Sequence, residues 1–273
     1  MSRMYQSFQT EYSSDAAVRK YSAGTAGRGI DYLLEREYGP IYMDALKKRL
    51  KAPIGKGLWM LEFGCGVGMN LLHCLASCGR EGLPVEFAYG TDFSERLIGE
   101  ARLAASSLDE SMRSRIKFLI ARNEQLVSRL AADRNVAERE VNNTFHFILG
   151  VNTFRYCHRL GRADDCARAI YTLLKPGGVC VMIDMNHSFP AFRSRLRDGI
   201  TRPKEECYIP TLQEYTAPFK SAGLDILERR NFCWIPHSAS ASLLSICRTL
   251  TPLLNTLIPS LAMRSLVISR KPL

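Results

Sequence analysis

The stretch Leu61-Glu62-Phe63-Gly64-Cys65-Gly66-Val67-Gly68 decides how this chain folds. Residues 58–64 are an apolar run that ends in alternating glycines. Residues 69–77 follow with Leu71, Leu72 and Leu75 at helical spacing. That is the signature of a buried strand turning through glycine into a helix. Glycine lets backbone approach a ligand where a side chain would clash, and the first N–H groups of the helix have no partner within it. Thirty residues beyond Glu62, a second apolar run over 85–89 leads through Gly90-Thr91 to Asp92. Strand, glycine turn, helix, strand and acid in this order bind an adenosine-containing cofactor.

The alternation continues along the chain. Ser94 is a suitable N-cap for a helix over 94–105, and residues 116–120 read as the third strand. A third helix begins at 123–130, and the charged stretch 129–143 includes an exposed turn. The fourth strand is 145–151. A helix over 163–174 stops at Lys175-Pro176-Gly177-Gly178, because proline cannot continue it and glycine accepts the turn. Strands at 179–184, 224–231 and 266–270, with a helix at 211–222, complete the series. This order predicts an α/β fold: a Rossmann-like, doubly wound, mostly parallel seven-stranded sheet with helices on both faces. Residues 1–52 read as an N-terminal helical cap, and 53–232 with 265–273 as the core. Residues 233–264, rich in Leu, Ile and Ser, read as a helical lid inserted between the last two strands. A dimer interface or a membrane-surface helix is the alternative for that segment.

Composition narrows the classes. With 46% apolar residues the chain is globular rather than disordered. No apolar run is long enough to span a bilayer, and residues 1–20 lack the apolar segment of a secretory leader. Nine cysteines show no C-x-x-C pair, which argues against zinc or another metal and for free thiols in a reducing cytoplasm. The net charge of +10 favours an anionic partner. Basic residues are not interleaved with aromatics as in nucleic-acid modules, so no stable nucleic-acid partner is expected, and a small anionic, phosphate-bearing substrate fits as well.

Glu62, the G-x-G-x-G turn, Asp92 and Leu174-Lys175-Pro176-Gly177-Gly178 together make the chain resemble the class I S-adenosylmethionine-dependent methyltransferases. The resemblance covers about residues 55–232 and the last strand. It implies S-adenosylmethionine as cofactor. By this likeness Glu62 lies at the methionine amino end, with Gly64, Cys65, Gly66, Gly68 and Asn70 along the turn. Asp92 takes both ribose hydroxyls, since a carboxylate accepts two hydrogen bonds at once. Phe93 packs on the adenine, and Gly150 and Val151 approach the cofactor. The family often has Asp after the third strand. Here Ala121-Arg122-Asn123-Glu124 leaves Asn123 or Glu124 to accept from the adenine amino group. His146 stands where an acid often opens the fourth strand, and reads as a packing or backbone-binding histidine.

Methyl transfer is an in-line displacement, in which the protein supplies alignment and exclusion of water. Tyr21, Tyr156, His158 and His187 are the candidate catalytic groups; Tyr21 would also fold over the cofactor. Arg155, Tyr156, His187, Arg193 and Arg197 are the candidate substrate contacts, with the arginines suited to phosphate or carboxylate. An exposed loop position or a solvated helix face is the plainer reading for His158, His187 and the arginine run. The stretches Val18-Arg19-Lys20-Tyr21 and Gly27-Arg28-Gly29-Ile30-Asp31-Tyr32-Leu33-Leu34, with the lid, look similar to bacterial terpenoid C-methyltransferases, including the kind that methylate and cyclise a prenyl chain. That likeness implies an isoprenoid carbon acceptor, with oxygen or nitrogen of another small metabolite as the alternative. A nucleic-acid methyltransferase is disfavoured, because no Asn/Asp-Pro-Pro-Tyr/Phe tetrad follows the fourth strand. A non-catalytic interaction subunit is disfavoured because Gly64, Gly66, Gly68 and Asp92 are all kept. A homo-oligomer stays open.

Overall fold

Along β4 (Phe145–Val151), Phe147, Leu149 and Val151 point to one side of the sheet and Ile148 to the other, and an irregularity between Phe145 and Phe147 puts Phe145 on the Ile148 side. Successive residues of a strand face opposite ways, so a strand buried on both sides reads as continuous apolar sequence. The computed structural model describes residues 28–194, 209–237 and 239–273. Its seven strands stand in the order β3-β2-β1-β4-β5-β7-β6. They are β1 (Leu58–Phe63), β2 (Val85–Asp92), β3 (Ile116–Ile120), β4, β5 (Leu174–Met185), β6 (Asp225–Phe232) and β7 (Arg264–Arg270). Only β7 runs antiparallel to its neighbours β5 and β6. This is the mostly parallel, Rossmann-like sheet expected from the sequence.

Helices cover both faces. One face carries α1 (28–49), α2 (Met69–Arg80) and α3 (Glu95–Ser106). The other carries α4 (Leu126–Arg134), α5 (Phe154–Arg159), α6 (Ala163–Leu173) and α7 (Leu212–Ser221). α2 and α3 carry the chain outward from β1 to β3, and α4 begins its return to β4 on the opposite face. The connections therefore diverge between β1 and β4, which makes a topological switch point at the carboxyl ends of those strands.

Several boundaries differ from expectation. β5 opens at Leu174 rather than at 179, because Leu174 pairs with Phe145 ahead of an irregularity in the ladder, so Lys175-Pro176-Gly177-Gly178 lies within the strand. β2 runs on to Asp92, because Thr91 and Asp92 pair with Leu119 and Ile120 of β3. The third helix opens as a 3₁₀ turn, Asn123–Gln125, before α4. Between β6 and β7 lies one 17-residue helix, α8 (Ala241–Leu257), capped by Ser240 and with Pro252 inside it. No residue of α8 is buried, and it packs on the first turn of α1, where Arg248 lies 5.4 Å from the centre of the Tyr32 ring. No described helix is long and apolar enough to cross a membrane.

Candidate active site

The glycine turn lies at the switch point, and its backbone explains its composition. Gly64, Gly66 and Gly68 all have positive φ, at 60°, 55° and 79°. A Cβ on Gly64 would stand 1.9 Å from Thr153 Oγ1, whereas one on Gly66 would meet nothing within 4 Å. Gly64 thus lets the β4 connection close against the turn, and Gly66 faces open space. α2 begins without a side-chain cap.

Two buried acids frame the turn. Glu62, at the end of β1, accepts from Leu71 N through Oε2 at 2.9 Å, while its buried Oε1 has no partner among the described residues. Burial pushes its carboxyl up to about 8. Asp92 accepts from Gly66 N at 3.0 Å through Oδ2 and from Ser94 N at 2.9 Å through Oδ1, with the Phe93 N–H as a third backbone donor. Burial raises it to about 6 against the pull of those bonds. Asp92 therefore ties the glycine turn to the end of β2. An unpartnered acceptor at Glu62, open space at Gly66 and a carboxylate at Asp92 fit an ammonium group, a close-lying ligand backbone and a ribose diol respectively.

The remaining sequence candidates divide. Cys65 is buried beneath the turn, and Phe93 is half-buried just after Asp92. Asn123 donates to Thr153 Oγ1 at 2.9 Å, which binds the end of β3 to the start of α5, with half-buried Glu124 beside it. Gly150 is small for packing: a Cβ there would lie 2.7 Å from Met182 Cε and 2.8 Å from Phe63. Val151 is buried on the α1 face. Arg155 is held by Asp184, to which its backbone N–H donates at 3.1 Å and its guanidinium pairs at 3.7 Å, and it donates to the Tyr156 hydroxyl at 2.7 Å.

His158 stacks among Phe154 and Tyr215 in the layer opposite α1, where burial lowers its pKa. His187 is exposed and its Nδ1 lies 2.9 Å from Ile209 O. His146 accepts from Trp59 N and contacts Pro53 O at 3.1 Å, so both ring nitrogens serve the backbone. Tyr21 and Arg197 lie outside the described residues; Arg193 lies in the short helix Pro190–Ser194.

Sequence reasoning passed over a second polar group. Tyr42 of α1 donates to Asn70 Oδ1 at 3.0 Å, at the start of α2. One turn earlier, the Tyr38 hydroxyl lies 3.2 Å from His237 Nε2 and against the Arg264 guanidinium. Arg264 donates to Asn152 Oδ1 at 3.3 Å. Tyr38 and Tyr42 thus span the carboxyl ends from the glycine turn to the start of β7. Their spacing of four residues was the available signal. A groove of about 590 Å³ lies elsewhere, between α1 and the β6–β7 edge, and does not touch the turn.

Solved structures share this fold. A Mesorhizobium loti S-adenosylmethionine-dependent methyltransferase aligns with TM-score 0.55 at 16% identity, over 89% of this chain and all of that one. Geranyl diphosphate methyltransferase, in complex with GPP and sinefungin, aligns with TM-score 0.57 at 14% identity, over 87% of this chain and 79% of that one. The methyltransferase in the complex with the Haloferax volcanii Trm112 activator aligns with TM-score 0.58 at 15% identity, over 97% of both. No curated protein matches the chain in sequence. The family profile described as a methyltransferase domain matches residues 34–229, from α1 into β6. The chain therefore belongs to the methyltransferase-domain family, with S-adenosylmethionine as its cofactor.

Proposed function

We propose that this methyltransferase acts on a small, largely apolar acceptor, and specifically on an isoprenoid carbon of a prenyl diphosphate or prenylated product, with or without cyclisation. The observation that carries this reading is the buried aromatic row of Tyr38 and Tyr42 running from Asn70 to Arg264, backed by Phe232 at 6.0 Å from Tyr38 and Phe147 at 6.5 Å from Tyr42. The fold shared with geranyl diphosphate methyltransferase is consistent with it.

When bound, S-adenosylmethionine supplies a methyl group activated on a sulfonium sulfur. Glu62 Oε1 would accept from the methionine ammonium, and Asp92 from the ribose hydroxyls. Gly66 would let the turn lie against the ligand, with Phe93 and Asn123 or Glu124 at the adenine. Methylating an alkene leaves a carbocation, which aromatic faces stabilise. Burial pushes the hydroxyls of Tyr38 and Tyr42 upward, so both rings stay neutral and protonated. The same burial excludes water that would quench a cation.

One observation favours an oxygen acceptor instead. His237 lies within hydrogen-bond distance of Tyr38, a pair able to relay a proton from a hydroxyl. Mass spectrometry of products from geranyl diphosphate, geraniol and amine analogues decides between them. The carbon reading predicts a new carbon–methyl bond; transfer to oxygen or nitrogen alone would end it.

A further inference from the structure

Arg264 opens β7 opposite Met185 of β5, at the carboxyl edge of the sheet where the ligand site lies. It is 6% exposed, and its Nε has no partner among the described residues. Its other contacts, Asn152 Oδ1 and the Tyr38 hydroxyl, are neutral. No described carboxylate pairs with it. Asp184 is within electrostatic reach but is paired with the Arg155 guanidinium at 3.7 Å. A guanidinium shut away from water is costly unless an anion or a full set of acceptors faces it. Here its direct acceptors are two neutral groups, and its own Nε–H is left idle. The position is also specific. Asn152 is followed by Thr153, whose Oγ1 fills the space beside Gly64, so one short segment joins Arg264 to the glycine turn.

We propose that Arg264 is the docking point for an acidic group of the acceptor, a carboxylate or a phosphate ester, held beside the glycine turn with the apolar remainder against the α1 tyrosines. This deepens the acceptor reading above and rests on it. Asn152 and Tyr38 position the guanidinium, and the idle Nε–H completes a two-point grip on the anion, the geometry to which arginine is suited.

Calorimetric titration of the full chain, free and saturated with S-adenosylhomocysteine, tests this with three probes of one carbon skeleton: geranyl diphosphate, geranic acid and neutral geraniol. The wild type should bind one of the two acids at least about ten-fold more tightly than geraniol, the size expected for a hydrogen bond to a charged group. Whichever acid wins identifies phosphate or carboxylate. Arg264→Gln should bring the acid to within about two-fold of geraniol, and Arg264→Lys should keep part of the preference. Should Arg264→Gln fail to fold, Asn152→Gly removes the orienting acceptor at a residue whose φ of 55° suits glycine, and should lower the preference several-fold. No preference in the wild type, or one that survives Arg264→Gln, would overturn the assignment. Loss of S-adenosylhomocysteine binding with the acid preference intact would strike the cofactor placement and leave Arg264 standing.

Discussion

Gly64 and Gly66 carry the same backbone demand in opposite surroundings, and that contrast separates folding from binding. Alanine at Gly66 meets open space, so it should cost only the left-handed strain, about 1–2 kcal/mol. It should nevertheless weaken S-adenosylhomocysteine binding more than about ten-fold, because the new methyl occupies the ligand's side of the turn. At Gly64 the same change drives a methyl into Thr153, which adds about 1–3 kcal/mol of overpacking to the strain. Urea denaturation and calorimetry on both variants check this; unchanged affinity in Gly66→Ala would reject the placement. Asp92→Ala should weaken cofactor binding by about 1.5–3 kcal/mol. Gly64, Gly66, Gly68, Glu62 and Asp92 were readable in sequence because their spacing lies within one strand–turn–helix–strand unit. Arg264 and His237 were not, because they meet Tyr38 only through a contact some two hundred residues long in sequence.

The elements differ sharply in what holds them. α1 buries Leu33, Tyr38, Tyr42 and Ala45 against the sheet, whereas α8 leaves Leu243, Ile246, Leu250, Leu253 and Leu257 outside, the last 66% exposed. Replacing Ile246 and Leu253 together by Ser should change unfolding free energy by less than about 0.5 kcal/mol per site. Leu33→Ala should cost about 2–5 kcal/mol. Denaturant midpoints measure both, and a loss of several kcal/mol from α8 would show its outer face to be packed. The positions of β1 and β4 followed directly from apolar runs, since a doubly covered strand has little choice of composition, whereas β5 opens ahead of its apolar run and β6 is a half-exposed edge strand. Helix ends were harder. Pro252 lies within α8 rather than at its end, because an exposed helix can bend around a missing N–H. The 3₁₀ turn at Asn123–Gln125 also left no periodic trace, since three residues are too few.

Across the whole molecule, the two acids of the turn link ligand binding to pH. Glu62 is raised from 4.5 to about 8, and Asp92 from 3.8 to about 6. The folded chain therefore holds protons that the unfolded chain has lost. Their contribution is fully present below about pH 4 and is lost as pH rises through about 6 and then about 8. Ligand-free stability should fall across that window, and Glu62→Gln should flatten its upper part; a Glu62→Gln curve parallel to the wild type in pH-dependent denaturation would contradict this. Binding an ammonium beside Glu62 should favour its ionised form and release a proton at pH 7, seen as a binding heat that depends on the buffer.

The central claim is that the turn between β1 and α2, with Glu62 and Asp92, grips the cofactor. A crystal structure with S-adenosylhomocysteine tests it most directly. The account predicts the ribose hydroxyls within hydrogen-bond distance of Asp92, and the amino group on Glu62 Oε1. A nucleoside bound elsewhere, or neither acid in contact with it, would contradict the account.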